Sequence, residues 1–189
     1  MPYVSRGGDK LACALDAFGI DPAGLVCADL GCSTGGFTDV LLQRGALRVH
    51  AVDTAYGVLD WRLRSDPRVA VHERTNALRV ELPEPVALVV IDAGWTRQQR
   101  VVPRALALLE PGGSVVSLIK PHYEAPPSRL VEGRLPPQEA ERVLEEVLGS
   151  LRALARIVAG PVVSPVDGGK AGNREYLVHL AARDPAAPD

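Results

Sequence analysis

Asp29-Leu30-Gly31-Cys32-Ser33-Thr34-Gly35-Gly36-Phe37 decides the fold. The stretch joins a short apolar run, residues 25–30, to residues 36–44, where Phe37, Val40 and Leu41 precede Gly45. An apolar run that ends in glycine reads as a buried strand, and the segment after it reads as a helix closed by a glycine cap. Gly31, Gly35 and Gly36 permit a tight turn and let a ligand come close to the backbone. The turn lacks Gly-Lys-Ser/Thr and the strict GxGxxG spacing, so it is not a phosphate-binding P-loop.

Outward from this turn, apolar runs alternate with helical patterns. Strands are expected at residues 47–52, 69–73, 86–91 and 114–119. A helix is expected over 101–109, stopped by Glu110-Pro111-Gly112-Gly113, and a second over 137 to about 154. Val143, Leu144, Val147, Leu148 and Leu151 share one face of that second helix. Residues 157–163 and 175–181 read as late strands around the Gly-rich stretch 167–173. Strands alternating with helices predict a mostly parallel sheet with helices on both faces. The late pair, with no room for a helix between its strands, predicts one antiparallel edge strand. Glu124-Ala125-Pro126-Pro127-Ser128 is expected to be loop, lying over the site. The expected organisation is one domain over 1–183, then a disordered tail over 184–189.

Composition excludes several classes. The 189 residues are 47% hydrophobic and 23% charged, which suits a globular domain rather than a disordered chain. No run of 18 apolar residues is present, and the first residues carry no apolar signal core, so a cytoplasmic protein is expected, with no membrane contact. Cys13, Cys27 and Cys32 are odd in number and form no CxxC, which argues against a disulfide framework or a metal site. The net charge of −2 excludes a globally basic nucleic-acid binder but leaves room for a local basic face. Arg6, Arg62, Arg64, Arg74, Arg97 and Arg100 form either a phosphate-binding rim or a solvated arginine surface.

Asp53 closes the second strand, where an acid can hold both hydroxyls of a ribose. Together with the glycine turn and Asp92 at a later strand end, it predicts a nucleoside cofactor. Acids on both sides of a short loop disfavour a pyrophosphate. They favour S-adenosylmethionine, whose sulfonium and ammonium are cationic. The expected cofactor residues are Asp29, Gly31, Cys32, Ser33, Thr34, Gly35, Gly36, Phe37, Asp53, Asn76 and Asp92. Asn76 either lies near the adenine or caps a helix. Phe37, Tyr56 and Trp61 are each more readily core packing than ligand contacts.

Several motifs resemble the methyltransferase domain of the TlyA (hemolysin A) family. They are Tyr3-Val4-Ser5-Arg6-Gly7-Gly8-Asp9-Lys10-Leu11, Ser33 to Asp39, Leu59-Asp60-Trp61, Glu73-Arg74-Thr75-Asn76, Ile119-Lys120-Pro121 and Asn173-Arg174-Glu175-Tyr176-Leu177. The resemblance runs from about residue 3 to about residue 180 and covers the family's catalytic domain only. It implies a class I, Rossmann-like methyltransferase with seven strands in the order 3-2-1-4-5-7-6, related to the FtsJ-like ribose 2′-O-methyltransferases. It implies S-adenosylmethionine as cofactor and RNA, either rRNA or a ribosomal subunit, as acceptor. It also implies a catalytic Lys-Asp-Lys-Glu tetrad at Lys10, Asp92, Lys120 and Glu175.

The chain has 3 lysines (Lys10, Lys120 and Lys170) against 18 arginines. Two of the three fall on tetrad positions, where a desolvated lysine can give up a proton and arginine cannot. Lys120 is the expected base, its pKa lowered by Lys10 and burial and raised by Asp92 and Glu175. The family's Val-Ser-Phe-like stretch is replaced by Ala93-Gly94-Trp95-Thr96-Arg97. The alternative is therefore a divergent member that methylates a small molecule. That reading expects a closed apolar pocket lined by Trp95 or Tyr123.

Overall fold

The structure, a computed structural model, describes residues 2–94, 96–168 and 172–183. Trp95, Lys170 and the tail 184–189 lie outside the described residues. Seven strands form one sheet: β1 (Val26–Leu30), β2 (Arg48–Val52), β3 (Val69–His72), β4 (Val86–Ile91), β5 (Leu109–Ile119), β6 (Arg156–Val163) and β7 (Tyr176–Ala181). Their order is β3-β2-β1-β4-β5-β7-β6. β3, β2, β1, β4 and β5 run parallel, and β7 is antiparallel to both β5 and β6. The antiparallel pair therefore sits at the edge beyond β5, with β7 one strand in.

The helices are α1 (Gly7–Phe18), α2 (Gly36–Gln43), α3 (Trp61–Arg64), α4 (Gln98–Leu108), α5 (Pro121–Glu124) and α6 (Pro137–Leu154). One apolar cluster gathers Val101, Val102 and Ala105 of α4 with Val143, Leu144, Val147, Leu148 and Leu151 of α6 against β4 and β5. The other gathers Leu11, Ala14 and Leu15 of α1 with Phe37, Val40 and Leu41 of α2 on the opposite face. The central strands alternate between the two clusters, as a sheet covered on both faces requires.

Three expectations are corrected. α1 was not anticipated, although Leu11, Leu15 and Phe18 follow the helical period. The helix expected over 101–109 does end, at Leu108, but residues 110–113 are not a loop. They extend β5, whose pairing with β4 shifts register between Val86 and Leu88, the signature of a bulge that absorbs the Pro-Gly-Gly. The expected loop at 124–128 is partly ordered, with Glu124 closing α5 and residues 127–129 forming a 3₁₀ turn. Glu124 also accepts from the backbone N–H of Gln98 at 2.8 Å, so it satisfies an open donor at the start of α4.

Burial predicts which strand positions carry stability. Leu118→Ala, at a position 1% exposed, is expected to cost about 2–5 kcal/mol. Val163→Ala on edge strand β6, 53% exposed, is expected to cost less than about 0.5 kcal/mol. Denaturant unfolding of the two variants checks the contrast.

Candidate active site

The turn after β1 is tied to β2: the N–H groups of Gly31 and Cys32 donate to Val52 O at 2.9 and 3.1 Å. Gly31 sits at φ +91°, and a Cβ there would come within 2.7 Å of Asp92 O. Only glycine therefore lets the first turn lie against the end of β4. Ser33 takes φ +47°, a left-handed conformation unusual for serine, and its N–H donates to Asp53 Oδ2 at 2.8 Å. Asp53 Oδ1 accepts from Ala55 N at 2.8 Å. Two backbone donors thus fix the carboxylate while each oxygen keeps a free lone pair. Asn76 Oδ1 accepts from Leu78 N, a local turn rather than a helix cap.

Two cavities of about 230 and 370 Å³ flank this turn and share Gly31, Ser33 and Asp92. The smaller adds Arg6, Lys10, Cys32, Thr34, Gly36 and Phe37. The larger adds Asp53, Asn76, Ala93 and Lys120. Together they form one cleft in the size range of ligand sites, and its lining is largely polar. Of the expected cofactor residues, Asp29 and Gly35 are not on the cavity walls. Asp29 lies buried beneath the turn, and Gly35 packs against Leu63 and Leu59. Phe37 belongs to the core and presents only part of its surface to the cleft.

The four tetrad residues converge at the carboxyl end of the sheet from four elements. Lys10 comes from α1, whose first glycines press against Tyr3, Ser5 and Gly36 so that the helix passes close to α2. Asp92 follows β4 and Lys120 follows β5. Glu175 precedes β7, and the register Ile119↔Tyr176 brings it to the same end. Lys10 pairs with Glu175, and Lys120 pairs with Asp92. Burial pushes Glu175 above the usual carboxylate range. Burial also opposes the charge on Lys120, but Asp92 and Glu175 outweigh it and hold the ammonium above its ordinary value. The lowered pKa that a free-amine base needs is therefore absent from the resting site.

His122 was not anticipated. It lies two residues past Lys120 in α5, meets the Tyr123 ring at a tilt of 47° with centroids 4.2 Å apart, and leaves a buried Nδ1 without a hydrogen-bond partner. Burial and the charges of Lys120 and Lys10 push it down to about 4, so it stays neutral beside the lysines. A lone histidine after Lys-Pro carries no signal in sequence, because only the fold of α5 brings it to the lysines.

The arginine rim is only partly assembled. Arg6 lines the smaller cavity. Arg62 pairs with Asp60 and Arg64 with Glu73, while Arg74 lies 4.4 Å over the Tyr56 ring. Tyr56 and Trp61, expected to pack, are exposed. Trp95, expected to line a closed apolar pocket in the alternative reading, lies outside the described residues. Tyr123 faces Lys120, with Nζ 5.7 Å from its ring.

The chain matches the FtsJ-like methyltransferases over residues 3–182. It belongs to that family. It is 41% identical to the 16S/23S rRNA (cytidine-2′-O)-methyltransferase TlyA of Mycobacterium tuberculosis, a match covering 94% of this chain and 68% of the relative. A crystal structure of a protein described as a hemolysin from Lactococcus lactis is 38% identical with a TM-score of 0.89, covering 95% of this chain and 88% of that one. N-methyltransferase NodS of Bradyrhizobium japonicum, solved with S-adenosyl-L-homocysteine, is 16% identical with a TM-score of 0.64 over 91% of this chain and 85% of its own. The NodS likeness bears on the fold alone. As an FtsJ-like methyltransferase the chain has the class I, Rossmann-like architecture expected from its motifs.

The buried Lys10–Glu175 pair should cost more to break than to replace. Lys10→Met alone leaves Glu175 charged and unpaired, and about 3–5 kcal/mol of stability is expected to be lost. Adding Glu175→Leu is expected to restore most of it, as read from a double-mutant denaturation cycle. His122 gives a pH test. An unfolded histidine takes up its proton near pH 6.5, whereas folded His122 resists until about 4. Its contribution is full above pH 6.5 and is lost as pH falls toward 4. His50, His72 and His179 are lowered by burial in the same direction. Stability should therefore fall over this window, and His122→Asn should flatten part of the fall.

Proposed function

We propose that the chain is an S-adenosylmethionine-dependent ribose 2′-O-methyltransferase that modifies rRNA in the cytoplasm. The observation that carries this reading is the alternating Lys10–Glu175 and Lys120–Asp92 cluster beside the Gly31 turn. The relative's named substrate, a cytidine in 16S and 23S rRNA, is the acceptor class we expect.

The donor set suits the cofactor. Asp53 is held with free lone pairs for two ribose hydroxyls, Asn76 and Ala77 line the cavity beside it, and Asp29 keeps one buried oxygen without a partner. Acids around a glycine turn fit a ligand of net positive charge. When bound, S-adenosylmethionine supplies a methyl group already activated by its sulfonium. The protein's own work is then alignment and proton handling. Lys120 and Lys10 hold the acceptor oxygen in line, and Glu175 fixes the orientation of Lys10. As the new O–CH₃ bond forms, the hydroxyl proton passes to Lys120 while the proton Lys120 already holds shifts to Asp92. The pair ends with one proton more and the amine need not start neutral. Arginine would supply the charge but not the exchangeable proton.

The test is transfer of labelled methyl to rRNA and ribosomal subunits, and in parallel to a small-molecule extract. Wild type should label rRNA, with the methyl mapped to a ribose and RNA affinity falling as salt rises. Lys120→Arg should lose about 100-fold or more in rate while still binding S-adenosylmethionine and remaining folded. Full turnover by Lys120→Arg would refute the proton role, and label confined to small molecules would refute the RNA assignment.

A further inference from the structure

Asp29 lies at the end of β1 under the cofactor turn and is fully buried. Its Oδ2 accepts from the Thr38 hydroxyl of α2 at 2.7 Å, and its Oδ1 has no partner. The charged groups that act on it are acids: Asp92 after β4 and Asp53 after β2. Cys32 in the turn is neutral, its thiol pushed up by burial and by Asp29 and Asp53. A buried carboxyl whose donors come from Thr38 alone, and which has two acidic neighbours and one unpartnered oxygen, is poorly held as an anion. Two neighbouring acids face the shared cleft and one of them, Asp92, is engaged by Lys120.

We propose that Asp29 is a charge-sensing residue, losing a proton when the cationic cofactor binds and regaining one when transfer removes the sulfonium charge. This rests on the reading of the cleft as an S-adenosylmethionine site. The proton ledger closes without another reactant. Binding releases one proton from Asp29 to solvent. Transfer converts a sulfonium and a hydroxyl into a neutral thioether, an ether and one proton, which the Lys120–Asp92 pair takes and then returns to solvent, and Asp29 regains its own proton from solvent as the ligand charge disappears. Asp29 thereby favours the charged substrate over the product of net charge zero and favours product release.

Burial holds the Asp29 carboxyl up to about 7, so the linkage falls in an accessible pH range. Below that value binding must expel the proton, so affinity for the cation falls as pH drops. Titration calorimetry of the wild-type chain with S-adenosylmethionine and with S-adenosylhomocysteine, at pH 6, 7 and 8 in buffers of different ionisation heat, reads affinity and proton release together. S-adenosylmethionine should bind about tenfold more tightly at pH 8 than at pH 6, releasing about half a proton at pH 7. S-adenosylhomocysteine should show a shallower slope. Asp29→Asn should make the affinity for S-adenosylmethionine independent of pH. The loss of a protonated-carboxyl infrared band on cofactor binding to wild type gives the same readout without a variant. Tight binding with no pH slope and no proton release overturns the charge-sensing role and leaves the cofactor site standing. No binding at any pH overturns the site itself.

Discussion

The site depends on the antiparallel pairing of β7 with β5. A parallel strand would enter the sheet at its amino end, far from the chemistry. Because β7 runs the other way, the residue before it arrives at the carboxyl end, and the Ile119↔Tyr176 pair puts Glu175 beside Lys120. The segment before β7 is locked to the same place. Asn173 accepts from Leu135 N at 2.9 Å and donates to Gly133 O at 3.1 Å, and Gly168 lies so close to the Glu175 carboxylate that a side chain there has no room. The glycine at 168 is thus part of how Glu175 is aimed.

Bringing two lysines and two carboxylates into a half-dry cleft is expensive, since each charge gives up hydration. The pairing scheme limits the cost by alternating signs, Glu175 against Lys10 and Asp92 against Lys120. The same alternation decides the protonation state of the resting site. Asp92 and Glu175 hold Lys120 as a cation against its burial, so the resting pair offers no free amine. His122 stays neutral beside the two lysines, so it adds no third cation to the balanced pairs.

The sheet was legible because its strands are short apolar runs ending at Gly31, Asp53, Asp92 and Lys120, and these punctuation residues also line the cleft. The strand order was legible only through the family motifs, since hydropathy says nothing about which strands are neighbours. α1 escaped because Gly7 and Gly8 look like loop, whereas here they allow close passage over Tyr3 and Ser5. The extension of β5 through Pro111 escaped because that proline lies in its exposed opening residues, where a missing N–H is tolerated. Tyr56 and Trp61 were expected to pack because large aromatics bury area. Their exposure follows from belonging to a loop and a one-turn helix.

The net charge of −2 and an RNA acceptor are compatible once the charges are located. Asp29, Asp53 and Asp92 lie around the Gly31 turn, with Asp29 buried beneath it and Asp92 paired with Lys120, so these acids are turned inward rather than toward the surface. On the surface, Arg62 and Arg64 already carry carboxylate partners in Asp60 and Glu73. A phosphate approaching them must compete with those acids, so these two arginines contribute less than their formal charge. Exposed ion pairs are weak, of order 0–1 kcal/mol, and a phosphate can displace such a carboxylate at little cost. Surface arginines in exchangeable pairs therefore keep the free chain near neutrality and still offer cations to a polyanion, which a count of charges over the whole chain does not reveal.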